Sequence, residues 1–578
     1  MKVYEGTILT VDARDSVARY LVEDAGIIAY VGDTLPAQFE GAPIERLQSR
    51  ALCPAFVDTH EHLASFATFN AGLNVMHARS NEHIKEMVAD FARTCTAKIL
   101  VAFGASPYSV EEGRLLSRAE LDEACPNKPV FMVKYDGHAC VVNSALLEKI
   151  DGKVRNLRGY HPDTGEMNQE AFFAVSDYIT GALSIPELVR NIQGAIDFLA
   201  SRGIGMVHTV SGVGFAGNLD ISLEKWVGRS AQSGFQVRVF PQSMDVSVAT
   251  KRGLPRIGGC FACALDGGFG SHDAAMIEPY SDAQGGHGVL YYSDEFVTDF
   301  CKKANRLGLQ IEMHAIGDAA FNQAAHALKA ALDDYPREDH RHGIIHACLP
   351  TQEALEICAE YGIHAPMQTS FIDWLQEPDS YLASLLGEGR AARLNPLRKM
   401  WDMGIVLSAG SDAPCTDPNP LLWMQRACNH SVPGQSLTPQ EALRMCTYNG
   451  AWTTCDENER GSLEVGKVAD MCVLSGNPYD LDPASLGSLK IEGRMKSIHY
   501  VATVVSVYRK AIDAYWNDPK KYQVTDEWRQ ELEKVSHRPY TKGFAFGKPG
   551  SDGQVYTTSS YEQTHDFVGI VLAYDADA

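Results

Sequence analysis

Short alternations of apolar and polar residues open the chain, in KVYEGTILTVD and GIIAYVGD within residues 1–50, punctuated by Gly and Asp. That period-two pattern predicts small antiparallel strands. From Ala51 the texture changes. Apolar runs (ILVAFGA, PVFMVKYDG, IGMVHTVSG, LQIEMHAIG, GIIHA, GIVLSAGSD) alternate with helix-like stretches, which implies parallel strands joined by crossover helices. Nearly every run ends in a polar residue followed by Gly, Asn or Asp. Polar side chains are thereby placed at C-terminal strand ends, where barrel enzymes carry their chemistry. Thr438-Pro-Gln-Glu441 has capping-box spacing with Pro in the first turn, so a helix is expected to start there. GSLEVGKVADMCVLSGNPYD (461–480) returns to short strands. Over 498–515 the spacing predicts an amphipathic helix with Val501, Val504, Val505, Tyr508, Ile512 and Tyr515 on one face, and a small β module is expected after it.

Histidines and one aspartate sit at the ends of these runs with regular spacing. His60-Glu61-His62 follows the first strand; His314 and His346 are 32 residues apart, and His346 and Asp412 are 66 apart. One strand–helix unit of a barrel takes roughly 30 residues, so these positions fit strands one, five, six and eight of a (β/α)8 TIM barrel. His60 and His62 alternate on a strand and point the same way. Neutral imidazoles with a carboxylate suit a zinc-like metal, and the carboxylate can also take a proton from metal-bound water.

Charge and cysteine content narrow the setting. The 578 residues carry 51 basic and 73 acidic side chains, a net charge of −22. Nucleic acid and anionic membrane need basic surface and are not expected partners. No apolar stretch approaches the ~18 residues of a membrane span, and the first residues have no apolar signal core; a cytoplasmic location is expected. Fourteen cysteines in so long a chain read as reduced, buried, small apolar residues. Cys260-x-x-Cys263 is the only CxxC and reads as part of a strand.

The stretches ALCPAFVDTHEHL (51–63), YDGHACVVNSALL (135–147), LDGGFGSHDAAMIEPYSD (265–282), IEMHAIGDAA (311–320), GIIHACLP (343–350), LSAGSDAP (407–414) and GSLEVGKVADMCVL (461–474) together resemble the amidohydrolase superfamily. More specifically they resemble its family 3 branch, which holds YtcJ-like proteins and N-substituted formamide deformylases. The resemblance implies an α/β protein: a (β/α)8 barrel over 51–459 and a small β domain built from both flanks, 1–50 and 460–482. Residues 483–578 are expected to form a C-terminal α+β extension. It further implies a hydrolase of C–N bonds with His60, His62, His314 and His346 as metal ligands and Asp412 as ligand and general base. The expected cofactor is a divalent metal, zinc first, with manganese or iron as alternatives, in one or two ions. The expected partner is a small-molecule substrate, and a homo-oligomer is compatible.

Relatives of this kind usually carry a lysine four residues before the Asp-Gly now at Asp266, whose carboxylated form bridges two metals. Ala262 stands there instead. Either one tightly held metal or a pair bridged by Glu170 (in TGEMNQE) or Cys260 is expected, and Lys134, at a strand end where it could itself be carboxylated, reads instead as a surface or substrate-facing ammonium. Asp136, His138, Asp266 and His272 are candidate substrate contacts, and His272 replaces a usual Arg. Phe371, Trp374 and Trp423 suggest an aromatic or apolar group near the mouth. The competing reading is a degenerate barrel kept as a binding or scaffolding protein. Residues 485–578, with KIEGRMKS and KVSHRPYTKGF, resemble the C-terminal part of collagenase-like peptidase-family proteins, which include proteins of tRNA hydroxylation. In that tail His537 and Arg538 read as structural.

Overall fold

In a computed structural model of the chain, the described residues are 1–481 apart from 231–233, 283–284, 373, 375–376 and 378–379, with a few isolated positions beyond. The chain divides into two compact units, Met1–Gly487 and Ser488–Ala578. Apart from those isolated positions, the expected helix and β module of 483–578 lies outside the described residues.

The alternating N-terminal segment forms strands Lys2–Leu9, Val17–Asp24, Ile27–Gly32 and Ile44–Pro54. Met471–Leu474 joins them antiparallel to Ile44–Pro54, pairing Cys472 with Cys53. Both flanks of the sequence thus meet in one five-stranded sheet. Its strand Ile44–Pro54 runs past residue 50 straight into the next element.

Eight parallel strands follow: β1 (Phe56–Glu61), β2 (Ile204–Ser211), β3 (Gln236–Pro241), β4 (Arg256–Ala264), β5 (Gln310–Ala315), β6 (Gly343–His346), β7 (Ala365–Met367) and β8 (Leu407–Ala409). Ladders join β1 to β2, β2 to β3, β4 to β5, β5 to β6 and β7 to β8. A bridge from Gly343 to His364 spans β6 and β7, and β3 packs beside β4. At the last seam Thr59 Oγ1 donates to the Ala409 carbonyl at 2.9 Å. There a Cβ on Gly410 would stand 2.6 Å from the His60 nitrogen, so only a glycine lets β8 come this close to β1. The strands therefore close into a ring.

β1, β5, β6, β7 and β8 are buried along their whole length, as parallel strands covered on both faces are, and β1 and β5 carry polar residues such as Asp58, His60, Glu312 and His314 into that interior. Helices cover the outside with narrower stripes. Asp294–Arg306 buries Val297, Phe300, Cys301 and Ala304, one helical face. Each such fully buried large apolar side chain contributes ~1.5–3 kcal/mol. The helix Pro439–Cys446 begins at Thr438 with the capping box to Glu441 in place.

The runs ILVAFGA and PVFMVKYDG do not join the ring. They form strands Leu100–Ala105 and Val130–Lys134 of a separate six-stranded sheet spanning residues 73–168, inserted between β1 and β2. Val101, Phe103, Phe131 and Val133 pack there against the helices Ser144–Val154 and Gln169–Gly181. A buried parallel strand has the same apolar signature in either sheet, so periodicity cannot say which sheet it enters. Among the described residues, no single helix is long and apolar enough to cross a membrane.

Candidate metal centre

His60 is the penultimate residue of β1 and His62 lies just beyond the strand, at the start of the helix Leu63–Asn70. Their rings meet edge to face at 5.5 Å. The loop after β8 is hung directly on this strand end: Asp412 N donates to the His60 carbonyl at 2.8 Å, and His62 N donates to the Ala413 carbonyl at 3.0 Å. Those bonds bring Asp412 Oδ1 to 3.3 Å from His60 Nε2 and 3.2 Å from His62 Nε2. Asp412 has φ +55 and His346, at the end of β6, φ +72. Non-glycine residues adopt this region at a cost of ~1–3 kcal/mol, and such strain concentrates at functional sites.

His314 lies on β5 and His346 on β6, their rings 4.5 Å apart. Each has its second nitrogen occupied from behind. His346 Nδ1 donates to Gln368 Oε1 at 2.6 Å, which leaves the Nε2 lone pair facing the centre. His314 Nε2 faces the Gly267 carbonyl at 3.4 Å and Asp266 Oδ1 at 3.5 Å, leaving Nδ1 inward. Backing of this kind sets the tautomer of metal-binding imidazoles. Gln368 had no signal in the sequence beyond its place after an apolar run.

The least anticipated member is Cys260. Along β4, Gly259 pairs with Met313 and the next register position is Ala264 opposite His314. Residues 260–263 therefore bulge out of the ladder. Gly258 and Gly259 have φ +126, and Phe261 has φ +45. A bulge re-aims the side chains it carries. This one sends the Cys260 sulfur to 3.2 Å from His60 Nε2, 3.4 Å from His314 Nδ1 and 3.5 Å from His346 Nε2. Ala262, at the expected bridging position, instead presents its carbonyl to the Tyr292 hydroxyl. Cys263 is wholly buried away from the centre, where burial pushes its thiol to about 12.

The electrostatics favour a cation. Burial lowers His60, and burial with the neighbouring His314 imidazole holds His346 well below its ordinary value, so both offer lone pairs. Burial opposes charge on Asp412, yet the His60 and His62 imidazoles hold it well below the usual carboxylate range. Burial, then the Asp412 carboxylate, push the Cys260 thiol well above its ordinary value, so a thiolate here requires a cation beside it. Four imidazoles, a carboxylate and a sulfur, all buried and converging, have the donor chemistry of a divalent transition-metal site.

The other expected residues distribute differently. Glu170 is not at the centre: it begins the helix Gln169–Gly181 and pairs with the exposed Arg158 at 2.8 Å. It lines the cavity but belongs to none of the groups of converging donor atoms. Lys134 is paired with Asp136 at 2.7 Å. Asp136 also accepts from His138 N at 3.2 Å. The His138 ring is open to the cavity but deep within the molecule, and the resulting desolvation lowers its pKa. Asp266 is fully buried and accepts from the amides of Ala275, Ile316 and Gly317 at 2.8, 3.0 and 2.8 Å. It fastens two loops and backs His314 rather than reaching for substrate. His272 is turned away, bonded to Asp282 at 2.7 Å and stacked on Tyr280. Its φ of +57 directs it out of the cavity wall.

The centre opens into a cavity of about 1350 Å³. Phe371 lies 5.8 Å from the His346 ring and stacks on Trp374 at 4.7 Å, and Tyr135 abuts Trp374 at 5.0 Å. Phe173 and Phe261 face each other at 5.4 Å in the same wall. Trp423, expected at the mouth, is instead fully buried in the core.

Parallel strands with candidate donors at their C-terminal ends define the class: a mixed α/β protein with a candidate metal centre. The chain belongs to the amidohydrolase family, whose model matches residues 47–506. It is 26% identical over 477 residues to the putative amidohydrolase YtcJ of Bacillus subtilis, covering 77% of this chain and 88% of that one. It is 26% identical over 544 residues to the N-substituted formamide deformylase of Arthrobacter pascens, covering 85% and 96%. A solved structure of an uncharacterized metal-dependent hydrolase from Pyrococcus horikoshii shares the fold with a TM-score of 0.70 and 23% identity, covering 84% of this chain and 99% of that one. Separately, 92 residues are 54% identical to the tRNA hydroxylation protein P1 of Bacillus subtilis, 16% of this chain and 22% of that protein.

Proposed function

We propose that the protein is a metal-dependent (β/α)8-barrel hydrolase that cleaves an amide-type C–N bond of a small molecule carrying an aromatic or apolar group. The observation that carries this reading is the convergence of His60, His62, His314, His346 and Asp412 on one buried point at the base of the cavity. Similarity to a formamide deformylase over most of both chains supports the amide class, and the Phe371–Trp374 wall supports an aromatic or apolar substituent.

The four histidines and Asp412 would hold the metal. When bound, it supplies an activated water and polarises the substrate carbonyl. Asp412, held ionised and anchored through its own amide to β1, accepts the proton of the attacking water. It then delivers that proton to the leaving nitrogen, a general acid–base exchange typically worth ~10²–10⁴ in rate. His138 and the Lys134–Asp136 pair overhang the same cavity and orient the substrate's polar end. The Phe371 and Trp374 rings seat its apolar end and exclude water from it.

The test is metal analysis of the purified protein together with turnover of a panel of N-formyl and N-acyl amines. Stoichiometric zinc, manganese or iron and turnover abolished by a chelator are expected. Protein without stoichiometric metal, and a panel left untouched by every metal re-addition, would overturn the reading.

A further inference from the structure

We propose that the Cys260 thiolate is a metal ligand shared between two divalent ions, occupying the bridging role for which this chain has no lysine. The inference rests on the metal-site reading above and adds a sixth donor, a nuclearity and a metal preference to it.

The geometry sorts the donors into sets whose ligand atoms lie within 4.8 Å of one another: His60, His62 and Cys260; Cys260, His314 and His346; and His60, His346 and Asp412. The first two sets have no member in common except Cys260. One therefore describes a site on the β1 histidines and the other a site on the β5 and β6 histidines, and the two meet at a single sulfur. Asp412 lies against the first pair and, through His60 and His346, spans towards the second.

A buried cysteine is by default a small apolar filler, and most cysteines of this chain fit that description. Cys301, for example, touches the Met313 sulfur at 3.9 Å. Cys260 differs in its surroundings, because three imidazole nitrogens from three different strands stand within 3.5 Å of it. It differs too in how it is placed. Four residues are looped out of the β4–β5 ladder to aim it, and Phe261 is held in a left-handed conformation to do so. A filler cysteine needs no such device.

A shared thiolate sets the metal chemistry. Sulfur selects softer ions, so zinc, iron or cobalt is preferred over magnesium or manganese, which favour oxygen donors. One negative sulfur between two dications also offsets part of their mutual repulsion, as a bridging carboxylate would.

X-ray absorption on the zinc-loaded full chain tests this directly. Expected are two ions per chain and a sulfur shell at ~2.3 Å beside nitrogen and oxygen at ~2.0–2.1 Å. The cobalt form should show a near-ultraviolet thiolate-to-cobalt absorption. Cys260→Ala should lose the sulfur shell, the absorption band and one ion, and Cys260→Asp should recover the second ion without sulfur. Stoichiometric metal with a shell of nitrogen and oxygen alone in the wild-type protein overturns the thiolate while leaving the hydrolase reading intact. One ion with sulfur overturns the bridge. A wild-type chain that binds no metal overturns both readings. The wild-type measurements stand even if the variants fail to fold.

Discussion

The Cys260 sulfur lies 3.4 Å from Nδ1 of His314, although the ladder that carries both strands pairs His314 with Ala264, four residues further along. That displacement is the structural signature of the site. A regular β4 would present a different side chain to the centre, and the bulge determines which one arrives.

Gly258 permits the bulge, so it is the position where a methyl group should be most damaging. Its φ is +126, and an added Cβ would stand 1.8 Å from the Glu312 carbonyl oxygen. Gly258→Ala is expected to lose at least ~1–3 kcal/mol of stability and to weaken metal binding with it. Denaturant unfolding and metal titration check this, and a variant as stable and metal-competent as the parent would refute it.

Asp412→Asn keeps the shape of the side chain and removes its basicity. On whichever amide the wild type turns over, kcat is expected to fall by ~10²–10⁴ in a protein whose circular dichroism is unchanged. A loss below tenfold would remove Asp412 from proton transfer.

Asp266→Ala leaves the amides of Ala275, Ile316 and Gly317 without their acceptor. Orphaned buried donors cost ~1–3 kcal/mol each, so a drop of several kcal/mol is expected in chemical denaturation. Loss of the group behind His314 should also weaken metal affinity by ~10–100-fold. A fall in substrate affinity alone, with stability and metal intact, would instead make Asp266 a substrate contact.

Glu170→Ala tests the rejected bridge. Its partner Arg158 is exposed and the pair stands in solvent, so metal content and melting temperature are both expected to stay at wild-type values. Loss of an equivalent of metal would reinstate Glu170 at the centre.

Glu312 gives the fold a pH dependence. It is buried beneath the centre, and burial raises its carboxyl from 4.5 to about 8. Between those values the unfolded chain has released a proton that the folded one keeps. The stabilising contribution is therefore fully present below about 4.5 and lost as pH passes about 8. Stability measured across this range should decline less steeply in Glu312→Gln, and parallel wild-type and variant profiles would contradict the assignment.

Much of this protein could be read along the chain. Continuous apolar runs ending in His60, His314, His346 and just before Asp412 predicted strands, their direction and the end at which the donors sit. Strand alternation and ~30-residue spacing are local properties, so sequence expresses them. The capping box at Thr438 was legible for the same reason, since its bonds join residues three apart.

What tertiary structure decided are matters of register and partner. ILVAFGA and PVFMVKYDG entered a second sheet because a buried strand carries no mark of its neighbour. Asp266 and His272, expected as substrate contacts, are held by amides and a carboxylate that the sequence alone did not place beside them. Cys260 replaced Glu170 at the centre because four residues left the β4 ladder, and which residues a strand ejects depends on the strand beside it. Residue types and spacing determined which histidines and which aspartate are available as metal-type donors. Packing between β4 and β5 decided that a sulfur lies in the middle of it.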